Sequence, residues 1–107
     1  MIDKREAARR QLECAIRLAA SEGDALAVHT LTMAAYGILQ ALIFRDDRYR
    51  REFERRLQVS KSRLWEIAVF LKHADRDPDG VLEAFAPQEN DWRIGLCSLM
   101  YRTVAAS

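Results

Sequence analysis

The sequence predicts an all-α fold: a four- or five-helix bundle-like single domain spanning residues 1–107. Three observations lead there. Apolar residues recur at spacings of three and four through most of the chain, the period of a helix with one buried face. Glycine and proline are scarce, four and two, and both prolines follow residue 77, so no proline ring breaks a helix before that point. Half of the residues are hydrophobic, enough for a core at this length without a metal or disulfide framework.

The first helix is expected over residues 3–21, with Ala8, Leu12, Ala15, Ile16 and Ala19 as its apolar stripe. Ser21-Glu22-Gly23-Asp24 is a stop-and-restart signal: Gly23 suits a left-handed C-cap, and Asp24 can accept the first free amides of the next helix. The second helix runs from about Ala25 to about Phe44. Leu31, Ala35, Ile38 and Leu42 form its stripe, widened by Val28, Ala34 and Leu39. It carries no charge from Ala25 to Ile43, which makes it the expected core element, antiparallel to the first. Residues 45–63 are polar, yet Tyr49, Phe53 and Leu57 step by four, the mark of a helix with a narrow apolar stripe. Ser60 or Ser62 can cap a further helix from about Arg63 to Ala74, with Leu64, Ile67, Ala68 and Leu71 inward. One continuous helix across both segments fits equally well. Pro78-Asp79-Gly80 is a turn, Val81–Phe85 a short apolar piece, and the last helix spans about Asn90 to Val104. Trp92, Leu96, Leu99 and Thr103 share one of its faces, with Arg93 and Arg102 elsewhere.

The formal net charge of +1 implies no polyanionic partner. Residues 45–63 nonetheless hold eight basic and four acidic side chains. There Arg48, Arg51, Arg55 and Lys61 are candidates for nucleic-acid contact, interleaved with Tyr49 and Phe53. The pairs Asp46–Arg50, Asp47–Arg51 and Glu52–Arg56 are spaced to neutralise much of that charge on one helix surface. Cys14 and Cys97 form no CxxC and are expected as reduced, partly buried thiols. The charged N-terminus is unlike an export signal, and no apolar run is expected to reach the ~20 residues of a membrane span. The expectation is a cytoplasmic protein with no membrane partner.

Asp75-Arg76-Asp77-Pro78-Asp79-Gly80 matches the first six places of an EF-hand loop. Such a loop needs a bidentate acid at the twelfth place, and Ala86 stands there. His29 and His73 are the only histidines, with no coordinating motif around them, so no metal or other cofactor is expected. His73 with Asp75 or Asp77 is the one candidate acid–base pair. No phosphate-binding glycine loop or nucleophile signature accompanies it, so the expectation leans away from an enzyme. The competing reading is a helix end, where Lys72 and His73 suit the negative pole of the helix dipole. His29, on a largely apolar helix, reads as a hydrogen-bonded core histidine.

The strings Ala15-Ile16-Arg17-Leu18, Glu22-Gly23-Asp24, Val28-His29-Thr30-Leu31 and Phe70-Leu71-Lys72-His73-Ala74-Asp75-Arg76-Asp77-Pro78-Asp79 carry a resemblance. The chain resembles a group of bacterial proteins without an assigned activity, marked by an SIHTL segment and an NFFKHADRDPD segment; Val69 replaces the asparagine of the second. The likeness covers roughly residues 8–85. It implies no reaction, but singles out His29, Lys72, His73, Asp75, Arg76 and Asp77 as positions to test. Members of the group run longer at the C-terminus, so the resemblance implies a truncated or divergent version. A fold-level analogy to the HEPN class of helical RNA-directed domains is also open. Its ribonuclease motif, Arg-x(4–6)-His, fails here: residues 22–24 are Glu, Gly and Asp, and residues 66–68 are Glu, Ile and Ala.

The function expected is a small helical interaction module. Trp65, Val69 and Phe70 leave the fourth helix apolar over much of its circumference, so a second surface should cover it, and a homo-oligomer or a protein partner is expected. The alternative is nucleic-acid binding through residues 45–63.

Overall fold

The computed structural model describes residues 1–56, 61–72, 78–82 and 85–106. Among them are five helices and no strand: α1 (Lys4–Ala20), α2 (Ala25–Ile43), α3 (Asp47–Arg56), α4 (Lys61–Lys72) and α5 (Gln88–Ala106). Residues 57–60 fall between α3 and α4, so Leu57, Ser60 and the question of one helix or two lie outside the described residues.

Local capping sets the first two helices. Asp3 accepts the Glu6 amide at 2.8 Å and Asp24 accepts that of Ala27 at 3.1 Å, caps worth about 1 kcal/mol each. Between them α1 ends in a Schellman turn: Gly23 N–H donates to Leu18 O at 2.7 Å and Glu22 N–H to Ala19 O at 3.2 Å. The left-handed residue is Glu22 (φ 57°), not the expected Gly23. Gly23 serves close approach instead. A Cβ there would stand 3.0 Å from Leu18 O and 3.1 Å from the Leu18 side chain.

Helices α1, α2 and α5 form the core. Asp3 and Lys4 share a hollow with Leu42 and Val104, so α1 runs antiparallel to both others. His29 meets Asn90 and Thr32 meets Cys97 further along, so α2 and α5 run parallel. The core joins Ala8 and Leu12 of α1, Met33, Ala35, Tyr36, Leu39 and Ile43 of α2, and Cys97, Met100 and Val104 of α5. Helix α4 adds Leu64 and Ala68 and sets Trp65 edge-on against Tyr36, with ring centroids 5.3 Å apart. Helix α3 lies at the far end, where Phe53 meets Phe44 edge-on at 5.9 Å.

Helix α2 is the most buried element, as expected, with eight buried residues. Its inward face is rotated from the expected stripe: Val28, His29, Thr32, Met33, Tyr36, Leu39 and Ile43 are buried, Leu31, Ile38 and Leu42 only half-buried, and Ala34 exposed. His29 is buried with a partner from α5, Asn90, and Thr32 is buried with its hydroxyl donating to Val28 O of its own helix. The helix also corrects the expectation about apolar runs. By length and composition alone, α2 is long and apolar enough to cross a membrane. In this fold its inward face is covered by α1, α4 and α5.

Smaller corrections follow the same pattern. Ile16 and Ala19 of α1 and Leu71 of α4 are exposed rather than inward, and Cys14 is exposed while Cys97 is buried. On α3 Arg50 pairs with Glu54 and Arg55 with Glu52, not in the expected Asp46–Arg50 and Asp47–Arg51 register. Asp46 is instead engaged as a cap, accepting the Arg48 amide at 2.9 Å. The Arg56 side chain lies outside the described residues.

Candidate functional site: a buried polar cluster between α2 and α5

Helix α5 turns a different face to the core than its apolar spacing predicts. Leu99 is 62 % exposed and Thr103 is exposed, whereas Asn90, Arg93, Cys97, Met100 and Val104 are buried at spacings of three and four. Arg93, expected away from the apolar face, is 2 % exposed. A buried cation needs partners. Its Nη1 donates to Glu89 O at 2.7 Å and to Glu89 Oε2 at 3.1 Å, and its Nε to Leu64 O of α4 at 3.4 Å. Its guanidinium also lies 4.3 Å from the Trp92 ring centroid. Trp92 Nε1 donates to the same Glu89 oxygen at 3.1 Å, so one carboxylate organises both side chains.

One turn earlier, Asn90 ties the starts of the two parallel helices together. Its Nδ2 donates to Ala25 O at 2.9 Å, which fixes the amide so that Oδ1 faces His29 Nδ1 at 3.2 Å. His29 therefore carries its proton on Nδ1 and leaves Nε2 as a lone pair. That nitrogen is buried and has no hydrogen-bond partner among the described residues. Phe85 covers the ring edge-on at 5.5 Å. Burial, and then the Arg93 charge, push the His29 pKa below its usual 6.5, against the opposing pull of Asn90 and Glu89. The imidazole is neutral at pH 7.

Further along, Thr32 Oγ1 donates to Val28 O at 2.7 Å and Cys97 Sγ donates to Thr32 O at 3.6 Å. Burial pushes the Cys97 thiol up to about 12, which keeps it protonated and unreactive. Tyr36 is likewise pushed up to about 12, by burial and then by Cys97. The arrangement can hold α2, α4 and α5 in register and keep one imidazole neutral.

Only some of the sequence candidates fall on described residues. His29 is the core histidine expected. Lys72 is exposed, 5.8 Å from the Trp65 ring centroid. His73, Asp75, Arg76 and Asp77 lie outside the described residues, as do the first three places of the calcium-like loop, and Pro78 and Asp79 form the expected turn. No group of three or more His, Cys, Asp or Glu side chains able to hold a metal occurs among the described residues. Arg48, Arg51 and Arg55 are exposed on α3, and the Lys61 side chain lies outside the described residues. Sequence reasoning missed Asn90, Arg93 and Glu89. One signal was present: Arg93 falls at the three-and-four spacing that joins Asn90 to Cys97 and Met100.

A second feature is an open groove of about 720 Å³ between α3 and α5. Ile43, Tyr49, Phe53, Leu96, Leu99 and Met100 line it, with Glu52 on the α3 wall and Arg102 on the α5 wall. Comparison with protein-family models, with curated proteins and with solved structures found no match.

Proposed function

We propose that this chain is a small helical interaction module that self-associates through the groove between α3 and α5. The observation that carries the reading is Leu99. It is 62 % exposed, yet it stands on the wall of an apolar groove lined by Tyr49, Phe53 and Leu96. A protruding leucine beside an apolar hollow is a knob next to a hole. A twofold axis pairs two such surfaces reciprocally. The walls carry opposite charges, Glu52 on α3 and Arg102 on α5, so the same axis brings unlike charges together. Val69 of α4, 48 % exposed, adds apolar surface elsewhere. Light scattering at about 50 µM tests this: a dimer mass is expected for the wild type and a monomer mass for Leu99→Asp. A wild-type monomer at that concentration overturns the reading.

A second reading, nucleic-acid binding through the basic α3 region, is supported by one observation. Arg48 and Arg51 are exposed and have no carboxylate partner among the described residues, while Arg50 and Arg55 have theirs.

A further inference from the structure

Pairing sorts the cations of this protein by place. Arg9 bridges Glu6 and Glu13, Arg10 takes Glu6, Arg17 takes Glu13, Arg50 takes Glu54, Arg55 takes Glu52 and Arg93 takes Glu89. Among the described side chains, Lys4, Arg5, Arg45, Arg48, Arg51, Lys72 and Arg102 have no such ion pair. Lys4 and Arg5 are neighbours at the start of α1 and Arg45 follows α2, yet all three line one open hollow of about 710 Å³ between the start of α1 and the α2–α3 connection. Tyr49 and Leu42 form part of its wall.

Two acids, Asp3 and Asp46, also line the hollow. Both are engaged by backbone: Asp3 accepts the Glu6 amide at 2.8 Å and Asp46 the Arg48 amide at 2.9 Å. Both carboxylates keep their charge, so three cations stand against two anions in the hollow, and Lys4, Arg5 and Arg45 are exposed to solvent. From the hollow the charge continues along α3. Arg48 lies 5.2 Å from the Tyr49 ring centroid, and Arg51 stands one turn beyond Arg48.

We propose that Lys4, Arg5 and Arg45 in the hollow, continued by Arg48 and Arg51 on α3, form a track for the phosphates of a single-stranded nucleic acid. The proposal rests on the second reading above and adds to it the α1 side of the site. A lone phosphate group can meet one end of this track, whereas a strand repeats its phosphates and can meet both. Tyr49 and its stacked arginine provide a flat surface of the kind on which bases stack. The contacts are to phosphate, so sequence preference is weak and binding falls steeply with salt.

The test is fluorescence anisotropy of the full chain with an oligoribonucleotide of about 12 nucleotides, titrated from about 50 mM salt upward. Arg5→Glu/Arg45→Glu is expected to weaken binding at least about tenfold and to flatten the log–log salt slope by about one to two units. The control Arg17→Glu/Lys72→Glu, with the same change in charge away from the hollow, is expected to bind as the wild type. Circular dichroism melting checks that the variants fold, and all four side chains are exposed. Equal loss in the control overturns the proposal, because binding is then general charge attraction. Loss in Arg48→Glu/Arg51→Glu but not in Arg5→Glu/Arg45→Glu overturns the hollow while the nucleic-acid reading stands. Full competition by equimolar inorganic pyrophosphate assigns a small-phosphate site and overturns the strand. No binding by the wild type overturns both.

Discussion

The two ends of the α2–α5 pairing are built differently. At their N-terminal ends the helices meet through polar groups: Asn90 joins Ala25 to His29, and Arg93 ties Glu89 to the Leu64 carbonyl of α4. At their C-terminal ends Ile43 and Met100 meet without polar partners and open onto the groove that carries Leu99. The difference teaches a division of labour. Apolar contact is non-directional and tolerates a rotated or shifted helix, whereas hydrogen bonds to particular carbonyls do not. The polar end sets which face of α5 is buried. The apolar end is left with surface to offer.

Breaking the polar end should cost most. Arg93→Ala leaves Glu89 and the Leu64 carbonyl without their cation and is expected to destabilise the fold by about 3–5 kcal/mol in urea unfolding, with Glu89 partly solvated and so favouring the lower figure. A loss no larger than that of a surface arginine would show that Arg93 is not holding the helices. Asn90→Ala is expected to cost about 1–3 kcal/mol, since it strips the partners from His29 Nδ1 and Ala25 O.

The pH response should be milder and should belong to the polar end alone. The folded-state pKa of His29 lies below its unfolded value near 6.5. Below that value the unfolded chain binds the proton that the folded chain refuses, so stability is full above about pH 6.5 and falls as pH drops beneath it. The urea midpoint should be flat from neutral pH upward and should decline on acidification, and His29→Gln should flatten the acid limb. An unchanged acid limb in that variant would assign the decline to other groups. At the apolar end, Leu99→Asp should change stability by less than about 0.5 kcal/mol while abolishing dimer formation. Smallest of all is the thiol response. A thiol reagent should modify exposed Cys14 in the folded protein and reach Cys97 only on unfolding, leaving the dimer and the fold intact.

Much of this contrast was hidden in the sequence. The spacing of Ala8, Leu12 and Ala15 reads directly as core, because α1 has one apolar side. Helix α5 does not, since Trp92, Leu96 and Leu99 compete with Cys97, Met100 and Val104 for the inward position. The buried polar cluster was legible only in part. His29 stands out on an apolar helix, but its partner Asn90 is 61 positions away and looks like an ordinary helix-start residue.

By itself the sequence determined the helices that local forces make. The Asp3 and Asp24 caps, the break at Ser21–Asp24, the uncharged run of α2 and the three-and-four spacing all act within a few residues of one another. Only the tertiary structure decided that Arg93 goes inside while Leu99 stays out, and that Lys4 and Arg5 stand beside Arg45. The physical reason is common to both. Each choice depends on an atom elsewhere — the Leu64 carbonyl, the end of α2 — whose position is set by packing rather than by the neighbouring residues.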